Sequence, residues 1–256
     1  MKYESKQEKK IQINDPSGKW SDMTLMPEWE EEFYDVYTAR KLGKWVMLKA
    51  LKKQYADDPK YQAILDREFE TRYNLAHANI VMVNDYEEVP GIGRAIITDD
   101  AYGFDLRHLI DEKHLNPKIL RRLETQLLDA IDYLQENHIL HHPLTPDNII
   151  FTEYTENLKI LNVGYDHRDR LTERDTEQDL KDWGRIMNET LDSLPTALPR
   201  LRRIAKAAEA GHYKSVSQLR LAIEKRSSAP IYIFLCVFIA VMVAILVYLA
   251  FFAGNN

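Results

Sequence analysis

Apolar and polar positions along the chain predict a strand-rich first part followed by a helical second part. Two apolar, β-prone runs within residues 33–51 flank a turn at Leu42-Gly43-Lys44, which is a hairpin pattern. Two further strand-like runs, 81–87 and 94–98, are joined through Pro90-Gly91-Ile92-Gly93. The pattern therefore predicts that residues 33–98 contain most of the β-structure of the chain.

Helical periodicity lies between these strand pairs and after them. Asp58-Pro59 predicts a helix start, because a capping residue precedes a proline at the first helical position. Residues 117–138 predict a long helix, and its buried stripe consists of Ile119, Leu120, Leu123, Leu127, Ile131 and Leu134. Shorter helices are predicted at 201–210 and from Ser215 onward.

A long apolar segment follows the helical part. Residues 231–253 contain no charged residue, no proline and no glycine. As a helix this run is roughly 34 Å long, enough to cross the hydrocarbon core of a bilayer. A buried core helix is the alternative, but such a length without a polar face is rare in soluble proteins. We therefore expect a transmembrane helix at 231–253.

The residues around this segment predict its orientation. Lys225 and Arg226 precede it, after a joint at 227–230, whereas only an uncharged tail, 254–256, follows it in this sequence. The positive-inside rule then places the preceding domain in the cytoplasm, as part of a single-pass membrane protein.

Composition narrows the partners and the compartment. The formal net charge is −6, which gives no reason to expect nucleic acid as a partner. Cys236 is the single cysteine, so no disulfide can form within this sequence, which is consistent with a reducing compartment. Residues 1–26 are polar and mixed in charge, and we expect a loosely ordered arm there with a short edge strand near Ile11 and Ile13.

The residues with the most specific pattern are His141, Leu144 and Asn148. Their spacing resembles the catalytic loop of protein kinases of the bacterial Ser/Thr type, H-R-D-L-x-x-x-N. Pro143 stands where that family has its catalytic Asp, and Thr145 stands at the position of the loop Lys. The resemblance therefore implies a kinase-like loop from which the catalytic groups are missing.

The strand-rich part resembles the family's N-lobe. Val46-Met47-Leu48-Lys49 is similar to the V-A-I-K strand, which implies that Lys49 is the phosphate-binding Lys. The predicted helix after Pro59 resembles the C-helix and implies that Glu68, rather than Glu70, pairs with Lys49. Arg72 follows Glu68 by four residues and is the competing partner along the helix.

The expected glycine-rich loop has no glycine. The resemblance places its three glycines near Trp29, Glu31 and Tyr34, within a stretch that contains Glu30-Glu31-Glu32. Glycines let the backbone approach phosphates, whereas consecutive carboxylates repel them. A solvated charged turn is the alternative role of these glutamates, and it also lacks the phosphate cradle.

Other family positions are altered as well. Thr98 matches the residue at the back of the nucleotide pocket, with the hinge at 99–102. Asn162-Val163-Gly164 stands where kinases have D-F-G, and Asn is a weaker ligand for a hard divalent cation than Asp. We find no A-P-E motif, and the activation segment is short. The sequence predicts no metal site, since a zinc site at His138, His141 and His142 has no second ligand cluster to complete it.

The sequence thus predicts an α+β, bilobal protein-kinase-like fold, with an unrelated α+β domain as the alternative fold. The domain should occupy residues 27–226, with an N-lobe at about 27–100 and a C-lobe at about 101–226. We expect a membrane-anchored pseudokinase that acts as a binding, scaffold or signalling module, with protein partners at the membrane. The alternative is a weak or unconventional ATP-dependent Ser/Thr kinase. No cofactor is expected: Lys49, Glu68, Thr98 and Asn148 form a vestigial nucleotide site, and the lost groups count against the family's ligand, Mg-ATP.

Overall fold

The computed structural model describes residues 9–11, 15–141, 143–153, 155–161, 171–194, 198–224, 238–239 and 241–243. Its strands are β1 Lys9–Lys10, β2 Trp20–Leu25, β3 Tyr34–Lys41, β4 Lys44–Leu51, β5 Val83–Val89, β6 Gly93–Asp99, β7 Gly103–Asp105, β8 Ile149–Thr152 and β9 Leu158–Ile160. Its helices are α1 Pro59–Tyr73, α2 Leu106–Asp111, α3 Pro117–Glu136, α4 Glu173–Asp192, α5 Pro199–Glu209 and α6 Val216–Glu224. Short 3₁₀ turns lie at Pro27–Trp29 and Pro146–Asn148.

The first lobe is built on an antiparallel sheet with the order β1-β2-β3-β4-β6-β5. The hairpin of β3 and β4 turns at Leu42-Gly43, and Gly43 adopts the left-handed backbone that such a turn requires. Within the sheet Lys49 lies opposite Val36 on one side and Ile96 on the other. The predicted hairpin is confirmed, and the register places Lys49 in the centre of the sheet.

The sheet of the first lobe begins before residue 27, the predicted start of the domain. Strand β2 lies within the predicted polar arm, and Trp20 and Met23 are buried in the core of the first lobe. Its other side chains are mostly polar and partly or wholly exposed, so the segment lacks the apolar run by which a strand is usually found. Residues 1–8 lie outside the described part of the chain.

Helix α1 packs against this sheet and begins where the sequence predicts. The Asp58 side chain accepts a hydrogen bond from the Lys60 amide at 2.9 Å, and Pro59 is the first helical residue. Its buried side chains are Leu65, Glu68 and Arg72. Two of these three are charged, so the helix brings a buried ion pair to the face that meets the sheet.

The second lobe is helical and has its own core. Helix α3 buries the predicted stripe against α4, whose Trp183 is completely buried. Helices α4 and α5 approach closely at Gly184, where a Cβ atom would lie 2.7 Å from the Ala205 carbonyl oxygen. A small sheet of β7, β8 and β9 packs Phe151 and Leu158 into this core, and its Ile150 joins a cluster with residues of the first lobe. The expected bilobal architecture is therefore confirmed.

The apolar segment at 231–253 falls almost entirely outside the described residues. Residues 238–239 and 241–243 are helical, and their side chains are exposed. None of the helices that the structure describes combines the length and the apolar composition needed to cross a bilayer. The predicted span, the joint at 227–230 and the tail at 254–256 stay predictions.

Candidate functional site

The centre of the candidate site is the ammonium group of Lys49 on strand β4. It lies 2.8 Å from Glu31 Oε2, 3.0 Å from Glu68 Oε1 and 4.2 Å from the centre of the Tyr34 ring. An ammonium has three N–H groups, and these three partners match that number. The Lys49 side chain is only 7% exposed. A phosphate that approached Lys49 would therefore compete with these partners.

Glu68 joins Lys49 to helix α1 and also contacts Arg72. The Arg72 guanidinium donates to Glu68 Oε1 at 2.9 Å, and both side chains are at least 96% buried. Burial alone would raise the pKa of Glu68, but Lys49 and Arg72 together hold that pKa below its ordinary value. Glu68 therefore contacts both Lys49 and Arg72, which the sequence left as alternative partners. Glu70, the other glutamate that could have paired with Lys49, is exposed.

The loop between β2 and β3, residues 26–33, lies where the resemblance to kinases places the glycine-rich loop. It contains the 3₁₀ turn Pro27–Trp29 and returns to the sheet through a hydrogen bond from the Glu31 amide to the Tyr34 carbonyl. Glu31 points inward to Lys49, whereas Glu30 pairs with Lys52 at 2.5 Å and Glu32 is exposed. Only one of the three glutamates thus enters the site.

The space beside Lys49 is small. The cavity there measures about 20 Å³, which is room for about one water molecule, whereas ligand sites typically measure about 300–1,000 Å³. Thr98 lies on its wall, and its hydroxyl donates to the Asp99 carbonyl at 3.2 Å. The cavity is lined in part by an apolar cluster, which we call the cleft cluster: Val36, Met47, Val81, Ala101, Ile150 and Leu161, with Trp29 packed against it.

The hinge begins with two successive carboxylates, Asp99 and Asp100. Asp99 accepts hydrogen bonds from Asn84 and from Lys44, at 2.9 and 3.0 Å. Burial, and after it the charge of Asp99, raise the pKa of Asp100. The hinge is therefore acidic.

The catalytic-loop stretch is held together by Asn148. Its Oδ1 accepts from the Thr145 amide at 3.0 Å, and its Nδ2 donates to the Pro143 carbonyl at 3.3 Å. Kinases use this Asn for a metal ion. Here the carboxamide oxygen is engaged by the loop backbone, so coordination of a metal would compete with that hydrogen bond.

Helix α4 fixes the same loop from below through residues that the sequence did not single out. The Asp182 carboxylate accepts from the Leu144 amide at 3.2 Å, and Arg185 donates to the Leu144 carbonyl at 2.8 Å. Burial is the main cause that raises the pKa of Asp182. Asp179 of the same helix lies 3.4 Å from His141 Nε2. Asp182 and Arg185 lie three residues apart on one helix face, and this spacing was the signal in the sequence from which their contact with the loop could have been predicted.

Two of the predicted positions cannot be placed. Asn162 and His142 lie outside the described residues. Within the described ranges no group of three or more His, Cys, Asp or Glu side chains is arranged to hold a metal ion. Helix α4 begins at Glu173, so only residues 165–172 separate the Asn162-Val163-Gly164 stretch from it.

Comparison with known proteins decides the family. The family model described as "Protein kinase domain" matches residues 32–177, more than half of the sequence. The chain belongs to the protein kinase domain family. The kinase domain of Mycobacterium tuberculosis PknI shares the fold with a TM-score of 0.57 at 18% identity, over 77% of this chain and 92% of that chain.

Curated relatives of this kinase domain include Ser/Thr kinases, which are similar over about half of the chain. Serine/threonine-protein kinase PrkC of Bacillus subtilis is 29% identical over 133 residues, which are 51% of this chain and 20% of that protein. Serine/threonine-protein kinase TIO of Arabidopsis thaliana is 32% identical over 124 residues, which are 47% of this chain and 9% of that protein. The chain thus covers only a small part of these relatives' length.

Members of the family normally use Mg-ATP, and two features of the described residues bear on that ligand. The Lys expected to bind phosphate is engaged by two carboxylates, and the cavity beside it is far smaller than a nucleotide. The structure thus brings Lys49, Glu68 and Thr98 together, while their assignment to a nucleotide site stays a prediction. The structure adds Glu31, whose carboxylate is the second one in contact with Lys49.

Proposed function

We propose that this chain is a membrane-anchored pseudokinase, a kinase-shaped binding or scaffold module that does not transfer phosphate. The observation that carries the proposal is the double engagement of Lys49 by Glu31 and Glu68, at 2.8 and 3.0 Å. Phosphoryl transfer depends on groups that cradle and neutralise the phosphates. In this conformation Glu31 and Glu68 of the protein itself neutralise the charge of Lys49, the group expected to bind phosphate.

The base position supports the same proposal. Pro143, at the place of the catalytic Asp, has no acidic or basic group that could accept a proton. Loss of a general base typically lowers a rate about 10²–10⁴-fold. Lack of the glycine-rich phosphate cradle and of an Asp at position 162 adds to that loss.

The proposed place of action is the cytoplasmic face of a membrane. The apolar run 231–253 would anchor the chain, with Lys225 and Arg226 on the cytoplasmic side. The part of this run that the structure describes exposes Phe238, Ile239 and Met242. Exposed apolar side chains of this kind favour contact with lipid or with another protein. The partners would then be proteins at the membrane.

A weak or unconventional Ser/Thr kinase is the second candidate. It is supported by the intact contact between Lys49 and Glu68 and by the similarity to Ser/Thr kinases. A kinase of this kind must bind nucleotide, so nucleotide binding separates the two candidates.

The test is a thermal unfolding measurement of the full chain with and without millimolar Mg-ATP. A ligand at 100-fold excess over its dissociation constant stabilises a protein by about 2.7 kcal/mol, which raises the melting temperature by about 5–11 °C for a domain of this size. We expect no such rise, and no transfer of labelled γ-phosphate to the chain or to a general substrate. A rise that requires magnesium and is lost in Lys49→Met would favour the kinase.

A further inference from the structure

We propose that the β2–β3 loop carries an internal ligand of the cleft: Glu31 takes the place of a nucleotide's phosphate, and Trp29 takes the place of its base. This inference rests on the proposed function, because it gives the physical reason why a kinase domain retains Lys49 without presenting it to phosphate. It also goes beyond that proposal, since it states that the chain closes the site with its own side chains and that truncation of these side chains opens it.

The first part of the proposal, that Glu31 replaces a phosphate, is argued from the charges around Lys49. Lys49 and Arg72 carry two positive charges, and Glu31 and Glu68 carry two negative charges, so the buried group is neutral as it stands. A phosphate that reached Lys49 would meet Glu31 at the same nitrogen atom. It would therefore have to displace Glu31, because like charges this close repel each other strongly where solvent is scarce.

The second part, that Trp29 replaces the nucleotide's base, is argued from the cleft cluster. Its members come from both lobes and from the connection between them: Val36 and Met47 from the sheet, Ala101 from the hinge, and Ile150 and Leu161 from below. Met47 stands where the V-A-I-K motif has Ala, so its longer side chain fills space that the motif leaves open. Trp29 packs against the same cluster and reduces the open space further.

The loop is held in this position by contacts away from the cleft. The Phe33 ring lies 4.9 Å from the Tyr61 ring and 5.5 Å from the Tyr55 ring, measured between centroids. The Phe33 carbonyl accepts from the Lys52 amide at 2.9 Å, and the Lys52 side chain pairs with Glu30. These anchors fix the loop on both sides of Glu31, so its carboxylate is delivered to Lys49 by the fold.

The Glu31 carboxylate itself is incompletely satisfied. Its Oε1 is buried and has no hydrogen-bond partner among the residues that the structure describes. A carboxylate in that position is stabilised mainly by Lys49 and pays for the lost hydration of its second oxygen. Loss of the Glu31 side chain therefore removes an unfavourable burial as well as a favourable contact, and we expect the variants to stay folded.

The experiment measures binding of three probes to the full chain in EDTA: inorganic tripolyphosphate, adenosine and ATP. The variants are Glu31→Ala, Trp29→Ala with Met47→Ala, and the combination of all three changes. Glu32→Ala is the matched control, because it makes the same change of charge in the same loop at an exposed side chain. Glu31→Gln, which keeps the side chain's size, replaces Glu31→Ala if the latter does not fold.

The two parts of the proposal predict different results. Glu31→Ala should bind tripolyphosphate at least about tenfold more tightly than wild type and Glu32→Ala, a difference of about 1.4 kcal/mol. The Trp29 and Met47 changes should raise the affinity for adenosine, and the combined variant should have the highest affinity for ATP. Equal effects of Glu31→Ala and Glu32→Ala would reduce the proposal to a general effect of charge and overturn it. Folded variants that bind no better than wild type would overturn it too.

Two further measurements make the outcome unambiguous. Labelling with an amine-reactive ester, followed by mass spectrometry, should modify Lys49 several-fold faster in Glu31→Ala than in Glu32→Ala, and equal rates would contradict occupation by Glu31. Transfer of γ-phosphate is measured on every protein. A wild type that transfers phosphate would refute the proposed function, whereas variants that gain binding without transfer would sustain both inferences.

Discussion

Lys49 and the three charged groups around it, Glu31, Glu68 and Arg72, predict that the two members of the Lys49–Glu68 ion pair contribute unequally to stability. In Glu68→Gln two cations, Lys49 and Arg72, retain a single carboxylate, Glu31, and Arg72 is left only 4% exposed without the carboxylate at 2.9 Å. In Lys49→Met, Glu68 keeps Arg72, and Glu31 is 25% exposed and can turn toward water. The second change therefore leaves no deeply buried charge without a partner.

The magnitudes follow from this difference. Breaking a buried pair by removal of one member costs about 3–5 kcal/mol when the other charge stays buried, and we expect a loss in this range for Glu68→Gln. Lys49→Met should cost about 1–3 kcal/mol, the range for a buried group that loses one hydrogen-bond partner. The double variant should be destabilised by less than the sum, with a coupling energy of about 0.5–3 kcal/mol.

Urea unfolding of the full chain, followed by tryptophan fluorescence, measures these values. Trp20 and Trp183 are both buried, one in each lobe, so the signal reports on the whole domain. Glu70→Gln is the matched control: it removes an exposed carboxylate from the same helix and should change stability by no more than about 0.5 kcal/mol. Additivity within about 0.5 kcal/mol would mean that Lys49 and Glu68 do not interact. A larger loss for Lys49→Met than for Glu68→Gln would refute the role assigned to Arg72.

Three other predictions concern the hinge, the helical core and the membrane. Burial and Asp99 raise the pKa of Asp100, so ionisation of Asp100 opposes folding. Asp100→Asn should therefore be more stable to urea than wild type at about pH 8. This gain in stability should shrink as pH falls through the raised pKa and vanish below about pH 4. Gly184→Ala would bring a Cβ atom to 2.3 Å from the nearest backbone nitrogen of α5, so it should cost about 1–3 kcal/mol in the same unfolding assay, and an unchanged midpoint would contradict the close packing. Truncation after Arg226 should release the domain from the membrane fraction in a salt wash, and retention of the truncated protein would show that 231–253 is not the anchor.

Local patterns in the sequence were sufficient for most of the fold. The helix start at Asp58-Pro59 and the hairpin turn at Leu42-Gly43 depend on a few adjacent residues, and the structure confirms both. The buried stripe of α3 follows from its own periodicity. Strand β2 was missed because its burial depends on Trp20 and Met23 meeting distant strands, while its other residues are mostly polar.

In the candidate site, too, some features could be predicted from local sequence and others could not. The order and spacing of His141, Leu144 and Asn148 identified the kinase-like loop, since motif spacing is a property of the chain itself. The clamp on that loop by Asp182 and Arg185 was not found, because it joins backbone and side chains about 40 positions apart.

The sequence by itself determined which groups of a kinase are missing, since the absence of an Asp at position 143 or of glycine in the β2–β3 loop is visible without coordinates. It could not decide what the remaining groups do. Glu31 lies 18 positions before Lys49, and whether a carboxylate at that distance pairs with it or faces solvent depends on the path of the loop between β2 and β3. Only the tertiary structure decided that path, because the rings packed against Phe33 and the pairing of Glu30 with Lys52 turn Glu31 inward, where the low local polarity makes its contact with Lys49 strong.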